Sequence, residues 1–169
     1  MKATPKITKA SVTNFLYFGN YYLFIKRNAN SKVMPSQVNG IGGKLEKGED
    51  YVSAAIRETK EETGYKVTKK DIHFCGLIKF ENSGGDDWYT CFFKIKVPSK
   101  KIPIGKKMNE GRLLWVNEDK VLKGSYLWAD DLNYVFKDIV SSKKIFFLTV
   151  KVKDNHFKIV KSSESRITT

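Results

Sequence analysis

A chain of 169 residues and 19.4 kDa suffices for one compact domain and is too short for two comfortable ones. With 41% hydrophobic and 13% aromatic residues it is no disordered chain, and apolar runs as short as Ile145-Phe146-Phe147-Leu148 exclude a membrane-spanning helix. The balance of 31 Lys and Arg against 18 Asp and Glu gives +13, and two cysteines, Cys75 and Cys91, exclude a four-thiolate zinc site or a disulfide framework.

Residues 1–10 read as a loose lead-in containing Pro5. It has no apolar stretch of the kind a secretory leader needs, so a cytoplasmic protein is expected. Ser11–Phe18 and Tyr21–Arg27 are rich in aromatic and β-branched residues and are split by Gly19-Asn20, which predicts a hairpin. A polar loop follows over 28–36, and then Gln37–Lys44, where Gly40, Gly42 and Gly43 let backbone approach a ligand closely. Asp50–Thr63 is the clearest helix: Asp50 or Glu49 can cap its start and Gly64 its end. Val52, Ala55, Ile56, Thr59 and Thr63 form its buried stripe. Ile72–Phe80 and Trp88–Val97 read as strands across a turn at 82–87. A basic loop spans 98–105 and a short strand Arg112–Val116, then a second helix Asp130–Ser141 and a hairpin of Ile145–Val152 with His156–Val160. Residues 162–169 form a polar tail expected to fray. The class is therefore α/β or α+β, one domain over 1–169 with helices packed on a mixed sheet.

The charge is unevenly spread. Residues 42–65 hold four cationic and six acidic side chains, a net of −2, which leaves +15 for the rest of a chain at +13. Within this island Glu58, Glu61 and Glu62 lie at i, i+3 and i+4 and share a helix face. Unpaired, they repel one another. Arg57 offsets part of that conflict, and a hard cation such as Mg²⁺, which prefers carboxylate oxygens, removes it while keeping positions for a phosphate. The alternative is an ordinary solvated acidic face.

Gly43, five residues, Glu49, seven residues, then Arg57-Glu58-Thr59-Lys60-Glu61-Glu62-Thr63-Gly64-Tyr65 follow the pattern G-x5-E-x7-R-E-U-x-E-E-x-G-U. This resembles the signature of the Nudix hydrolases over all 23 positions, departing only at Thr59 and Tyr65, where a bulky aliphatic is usual. The resemblance implies an α/β/α sandwich with a loop–helix–loop beside a mixed sheet, and hydrolysis of a nucleoside diphosphate linked to another group with Mg²⁺ or Mn²⁺. It makes Glu58, Glu61 and Glu62 metal ligands, one of them also orienting or deprotonating the attacking water. Arg57 would hold the glutamates, and Gly42 or Gly43 would lend a carbonyl.

Outside the signature, Asn39-Gly40-Ile41-Gly42-Gly43-Lys44, Glu110 followed by Trp115, and Leu127-Trp128-Ala129-Asp130-Asp131 resemble the MutT-type 8-oxo-dGTP diphosphatases. That implies a purine triphosphate substrate: Trp128 would stack on the base, while Asp130, Asp131 and Asn39 would meet its edge. By the same resemblance Glu110 would join the metal shell, and Thr13, Lys26 and Lys44 would line the pocket. The plainer alternatives are Asp130 as a helix cap, Trp128 as packing against that helix, and Glu110 as a solvated loop acid. Val38 stands where that branch often has an aromatic, which alters one pocket wall.

The expected function is thus a Mg²⁺-dependent nucleoside triphosphate diphosphatase acting in nucleotide-pool sanitation, as a monomer or weak homodimer with no membrane partner. Two rivals remain. One is a Nudix hydrolase of ADP-ribose, a dinucleoside polyphosphate or an RNA 5′ end. The other is a Nudix module that binds nucleotide or RNA without cleaving it. The absence of proline between Gly64 and Val97 counts against ADP-ribose, the positive charge keeps RNA in play, and the complete glutamate set counts against a module without activity.

Overall fold

Large apolar side chains alternate along the strands, and this alternation sorts the core into two layers. The computed structural model describes the backbone of residues 6–31, 35–83, 85–109, 111–124, 130–153 and 156–166, and their side chains except at 107–108, 130–134, 156 and 166. In chain order these residues form β1 (Thr8–Phe18), β2 (Tyr21–Arg27), β3 (Val38–Asn39), α1 (Tyr51–Thr63), β4 (Ile72–Asn82) and β5 (Asp87–Lys96). There follow β6 (Lys107–Met108), β7 (Gly111–Asn117), α2 (Glu118–Leu122), α3 (Asp130–Ser141), β8 (Lys144–Lys153) and β9 (His156–Arg166). The strands make one mixed sheet in the order β6-β7-β2-β1-β5-β4-β8-β9, with β3 added alongside β2. β1 with β5 and β4 with β8 are parallel, and the other pairs are antiparallel.

Neighbouring residues point to opposite faces, so Phe15 and Leu16, Tyr22 and Leu23, and Phe92 and Phe93 enter different layers. One layer gathers Phe15, Tyr22, Phe24, Phe92 and Phe146 under Val135, Phe136 and Ile139 of α3 and Val121 of α2. Its rings meet edge-on or offset, Phe136 lying 5.1 Å from Tyr22 and 6.0 Å from Phe15. The other layer sets Leu16, Leu23, Ile25, Phe93 and Ile95 against Ala54 and Ala55 of α1, whose small side chains bring the helix close to the sheet. The result is the α/β/α sandwich that the resemblance implies. Among the described residues no helix is long and apolar enough to cross a membrane.

Two expectations at the ends are corrected. The lead-in becomes strand from Thr8, because β1 pairs with β5 from Thr8–Asp87 through Tyr17–Lys96. The polar tail does not fray from Ser162: β9 runs to Arg166, held by β8 through Ile145–Ser165 and Lys144–Arg166. In both places long-range pairing supplies what local sequence lacks.

One local arrangement positions everything that follows. β1 and β2 pair only over Leu16–Phe18 and Tyr21–Leu23, and beyond that they part. The 37–45 segment fills the gap. On one side Val38 and Asn39 pair with β2, and on the other Asn14 pairs with Ile41, the Val12 N–H donates to the Gly43 carbonyl (2.9 Å) and the Leu45 N–H to the Ala10 carbonyl (3.1 Å).

Candidate active site

Helix α1 leaves this segment with well-defined ends. Asp50 Oδ1 accepts hydrogen bonds from the backbone N–H groups of Val52 (2.8 Å) and Ser53 (2.9 Å), and Gly64 closes the helix at φ 76°, its N–H donating to the Lys60 carbonyl. Asp50 is thus the cap, and Glu49 is free for another task. Arg57 Nε and Nη2 donate to the two Glu49 oxygens, both at 2.9 Å. The rest of the guanidinium is used as well: Nη2 reaches the Lys44 carbonyl (3.0 Å), and Nη1 reaches Glu58 Oε1 (2.8 Å) and Glu61 Oε2 (3.1 Å). The Arg57 bonds hold the Glu49 carboxyl below its ordinary range, with help from the Glu46 N–H. They also make Arg57 still harder to deprotonate.

Glu58 and Glu62 face the glycines. Glu62 Oε2 accepts from the Gly42 N–H at 2.9 Å, and the Glu58 carboxylate lies so close to Gly43 that a Cβ there would overlap it. A Cβ at Gly42 would overlap the Val12 carbonyl oxygen, which is backbone, whereas at Gly43 it would displace the end of the Glu58 side chain. Burial pushes the Glu58 carboxyl above its usual range despite the lowering pull of Arg57. Glu61 is the open member, with its side chain 58% exposed. The two departures from the signature are explained here. Thr59 is fully buried and accepts from Asn14 Nδ2 (3.1 Å), and the Tyr65 ring is buried while its hydroxyl donates to the Ser99 carbonyl (2.8 Å).

The donor set suits a hard divalent cation: three carboxylates on one helix face, one of them pressed into a cradle that a Cβ would fill. Among the described residues no three His, Cys, Asp or Glu side chains are yet gathered as a ready-made cage, since Arg57 spans Glu58 and Glu61. The Gly43 carbonyl already accepts from Val12 and keeps one lone pair for a further partner.

Gly42 and Gly43 also wall a cavity of about 440 Å³. Thr13, Asn39 and Lys44, which the resemblance assigns to a substrate pocket, line it, and Ser11 and Thr90, also in its lining, share a hydroxyl contact of 2.8 Å. Its aromatic wall comes from Trp88, Phe80 and Phe157, the last two meeting edge to face at 6.1 Å. Lys9 and Lys44 hold their ammonium groups 5.4 and 5.6 Å from the centre of the Trp88 ring.

Lys26 does not share this cavity. Adjacent strand residues point to opposite faces, and Arg27 is the β2 residue that lines it, while Lys26 lies in a separate basic groove. Glu110 and Trp128 lie outside the described residues, as do the side chains of Asp130 and Asp131, whose backbone opens α3. Three contributors escaped the sequence reading: Glu49 as the partner of Arg57, Arg27 and Trp88. The fixed Glu–Arg spacing of the signature could have found the first. No local signal separates Trp88 from any other strand aromatic.

The NUDIX domain family model matches residues 8–136. A curated Danio rerio protein named oxidized purine nucleoside triphosphate hydrolase is 35% identical over 94 residues. That match takes in 56% of this chain and spans only 57% of the relative's length. Among solved structures, a MutT protein from Bacillus halodurans superposes with a TM-score of 0.75 at 21% identity, covering 92% of this chain and 97% of that one. A MutT protein from Methanosarcina mazei Go1 gives 0.65 at 22% identity, covering 83% and 99%. At such identities the two structures speak for the fold alone.

Proposed function

Because this chain belongs to the Nudix domain family, we propose that it is a divalent-cation-dependent hydrolase of nucleoside triphosphates, releasing the nucleoside monophosphate and pyrophosphate, with 8-oxo-dGTP as the preferred substrate. One observation carries this reading. The glycines against which Glu58 and Glu62 pack also wall the cavity that holds Trp88 and Lys44, so a nucleotide seated there has its phosphates beside the carboxylate helix. The name of the Danio rerio relative supports the oxidised purine, and the buried free thiols of Cys75 and Cys91 suit a reducing cytoplasm.

Glu58, Glu61 and Glu62, with a carbonyl of Gly42 or Gly43 and with Glu110 by family resemblance, would hold Mg²⁺ or Mn²⁺. When bound, the cation offsets phosphate charge and acidifies a water. Arg57 fixes the Glu58 rotamer from one side, and Gly43 fixes it from the other. A glutamate carboxylate takes the proton of the attacking water as its oxygen bonds phosphorus, and pyrophosphate leaves with the electron pair of the broken P–O bond. Lys44 and Arg27 offer positive charge to the phosphates. Trp88 offers a stacking face for the base beside the role that the resemblance gives to Trp128, and the amides of Asn39 and Asn82 line the same cavity. By the resemblance Asp130 and Asp131 would meet the base edge.

Rates of 8-oxo-dGTP, dGTP, dATP, ADP-ribose, a dinucleoside polyphosphate and 5′-triphosphorylated RNA, measured side by side, test the substrate. A kcat/KM for 8-oxo-dGTP below those of ordinary deoxynucleotides defeats the sanitation role and leaves hydrolysis standing. Glu→Gln at Glu58, Glu61 and Glu62 in turn should each lower kcat at least about tenfold, and full activity in all three defeats hydrolysis as well. Trp88→Ala should raise the purine KM about tenfold with kcat changed less than about threefold.

A further inference from the structure

Helix α1 carries its carboxylates on a seat with little apolar bulk. Its fully buried side chains are Ala54, Ala55, Thr59 and Thr63, and the last two, in the half that bears Glu58, Glu61 and Glu62, are polar. Contacts between small apolar groups are weak and non-directional, so they leave a helix free to slide or turn slightly.

A side chain of β1 removes that freedom. Asn14, flanked on the same sheet face by Val12 and Leu16, is 0% exposed. Its Nδ2 donates to the Ala55 carbonyl (2.9 Å) and to Thr59 Oγ1 (3.1 Å), two points one turn apart on the helix. The backbone of the same residue holds the glycine segment. The Asn14 N–H donates to the Ile41 carbonyl (2.6 Å), and the Ile41 N–H donates to the Asn14 carbonyl (3.0 Å). Gly42, next along, donates to Glu62, and Gly43 abuts Glu58, the neighbour of Thr59. We propose that Asn14, acting through Ala55 and Thr59, is a positioning residue that sets the register of the carboxylate helix against the glycine segment; its effect on rate rests on the hydrolase reading above.

Stability alone does not call for a polar pair here. The Ala55 carbonyl only accepts, so the Nδ2 end of the amide faces the helix and Oδ1 is buried with no hydrogen-bond donor among the described residues. A buried carbonyl without a donor costs stability, and an aliphatic side chain would fill the same place without that cost. Thr59 points the same way, since a bulky aliphatic is usual at its place in the signature and would bury more apolar area. What the polar pair supplies is direction. A hydrogen bond weakens steeply off its axis, so two from one amide fix the rotation and the rise of the helix together. Thr63 extends the network: its hydroxyl donates to the Thr59 carbonyl (2.5 Å) and accepts from the Tyr65 N–H (3.3 Å). Arg57 ties the carboxylates to one another and to Glu49, whereas Asn14 ties their helix to the sheet.

The deciding measurement needs neither metal nor substrate. It is the amide NMR signal of Gly42, which reports the bond of that N–H to Glu62. Thr59→Val keeps the shape and removes the acceptor, and Thr59→Ser keeps the acceptor. Asn14→Leu with Thr59→Val replaces both partners, so that no polar group is stranded. In Thr59→Val and in the apolar pair the Gly42 amide proton should move upfield and Mn²⁺ binding, read by electron paramagnetic resonance, should weaken. In both, kcat should fall at least about fivefold with the nucleotide KM within about twofold of wild type. Thr59→Ser should keep the wild-type signal and at least about half of kcat. The apolar pair should melt no lower than wild type, which separates lost rate from lost stability. A wild-type Gly42 signal in the apolar pair overturns the proposal, as does equal loss in Thr59→Ser and Thr59→Val. A wild-type protein that turns over no nucleotide defeats the hydrolase reading instead, and the Gly42 signal still decides whether Asn14 sets the register.

Discussion

Arg57 meets Glu49 through two parallel hydrogen bonds of 2.9 Å, so the residue that opens the helical segment is clamped to one two turns further on. The fork geometry aims the third guanidinium nitrogen at Glu58 and Glu61, and it explains why the seven-residue gap between Glu49 and Arg57 is fixed. Glu49→Gln keeps the size but loses one charged acceptor, and Arg57→Lys loses the fork altogether. Both should lower kcat, by about fivefold and at least about thirtyfold, with KM for the nucleotide changed less than about threefold. Unchanged kcat in Arg57→Lys would show that the clamp does not position the glutamates.

Gly42 and Gly43 separate fold from chemistry. A Cβ at position 42 meets the Val12 carbonyl, backbone that cannot swing away, so Gly42→Ala should cost about 1–3 kcal/mol and lower the melting temperature by several degrees. At position 43 the obstacle is the end of the Glu58 side chain, which can rotate. Gly43→Ala should therefore stay folded yet lose at least about tenfold in kcat and bind Mn²⁺ more weakly, as read by electron paramagnetic resonance.

The Asp50 cap carries a defined pH signature. Hydrogen bonds from the N–H and hydroxyl of Ser53, and then from the Val52 N–H, hold its carboxyl below the ordinary value. A carboxylate with a lowered folded pKa stabilises fully above its unfolded value of about 3.9, and that contribution is lost as pH falls through the folded pKa. Asp50→Asn keeps an acceptor and removes the titration. Wild type should melt higher than Asp50→Asn above about pH 5, and the gap should close as pH falls below about 4. A gap constant from pH 7 to pH 3 would show that the cap does not act through its charge.

Cys75 and Cys91 should be silent in the folded protein. Burial pushes their thiols up to about 12 and about 11, leaving almost no thiolate at pH 8. Iodoacetamide at pH 8 should label both completely in denaturant and under about a tenth of either in the native state. Fast native labelling of one would place it at the surface.

Much of the fold could be read from the chain because local signals and tertiary demands agreed. Helix α1 has a cap at Asp50, a stop at Gly64 and small buried residues at helical spacing, so its limits fall within one residue of expectation. The ends of the sheet differ. Thr8–Ala10 and Ser162–Arg166 have no apolar rhythm and become strand only because β5 and β8 present hydrogen-bonding edges to them. The site divides in the same way. The carboxylate helix is one continuous segment with fixed spacings, whereas the cavity draws Arg27 from β2, Phe80 from β4, Trp88 from β5 and Phe157 from β9. Their meeting depends on strand order, which no single stretch encodes. Lys26 and Arg27 show how fine the margin is, since a shift of one residue along a strand exchanges the cavity for the groove.

The wedge of residues 37–45 between β1 and β2 has a consequence for how this chain can change length. Hydrogen bonds to both flanking strands register that stretch residue by residue, so an inserted or deleted residue there would rotate Gly43 away from Glu58 and unseat the helix behind it. Among the described residues of the connection just before it, none pairs with a strand. Grafted tags, or extra turns acquired by descent, belong between Asn28 and Ser36.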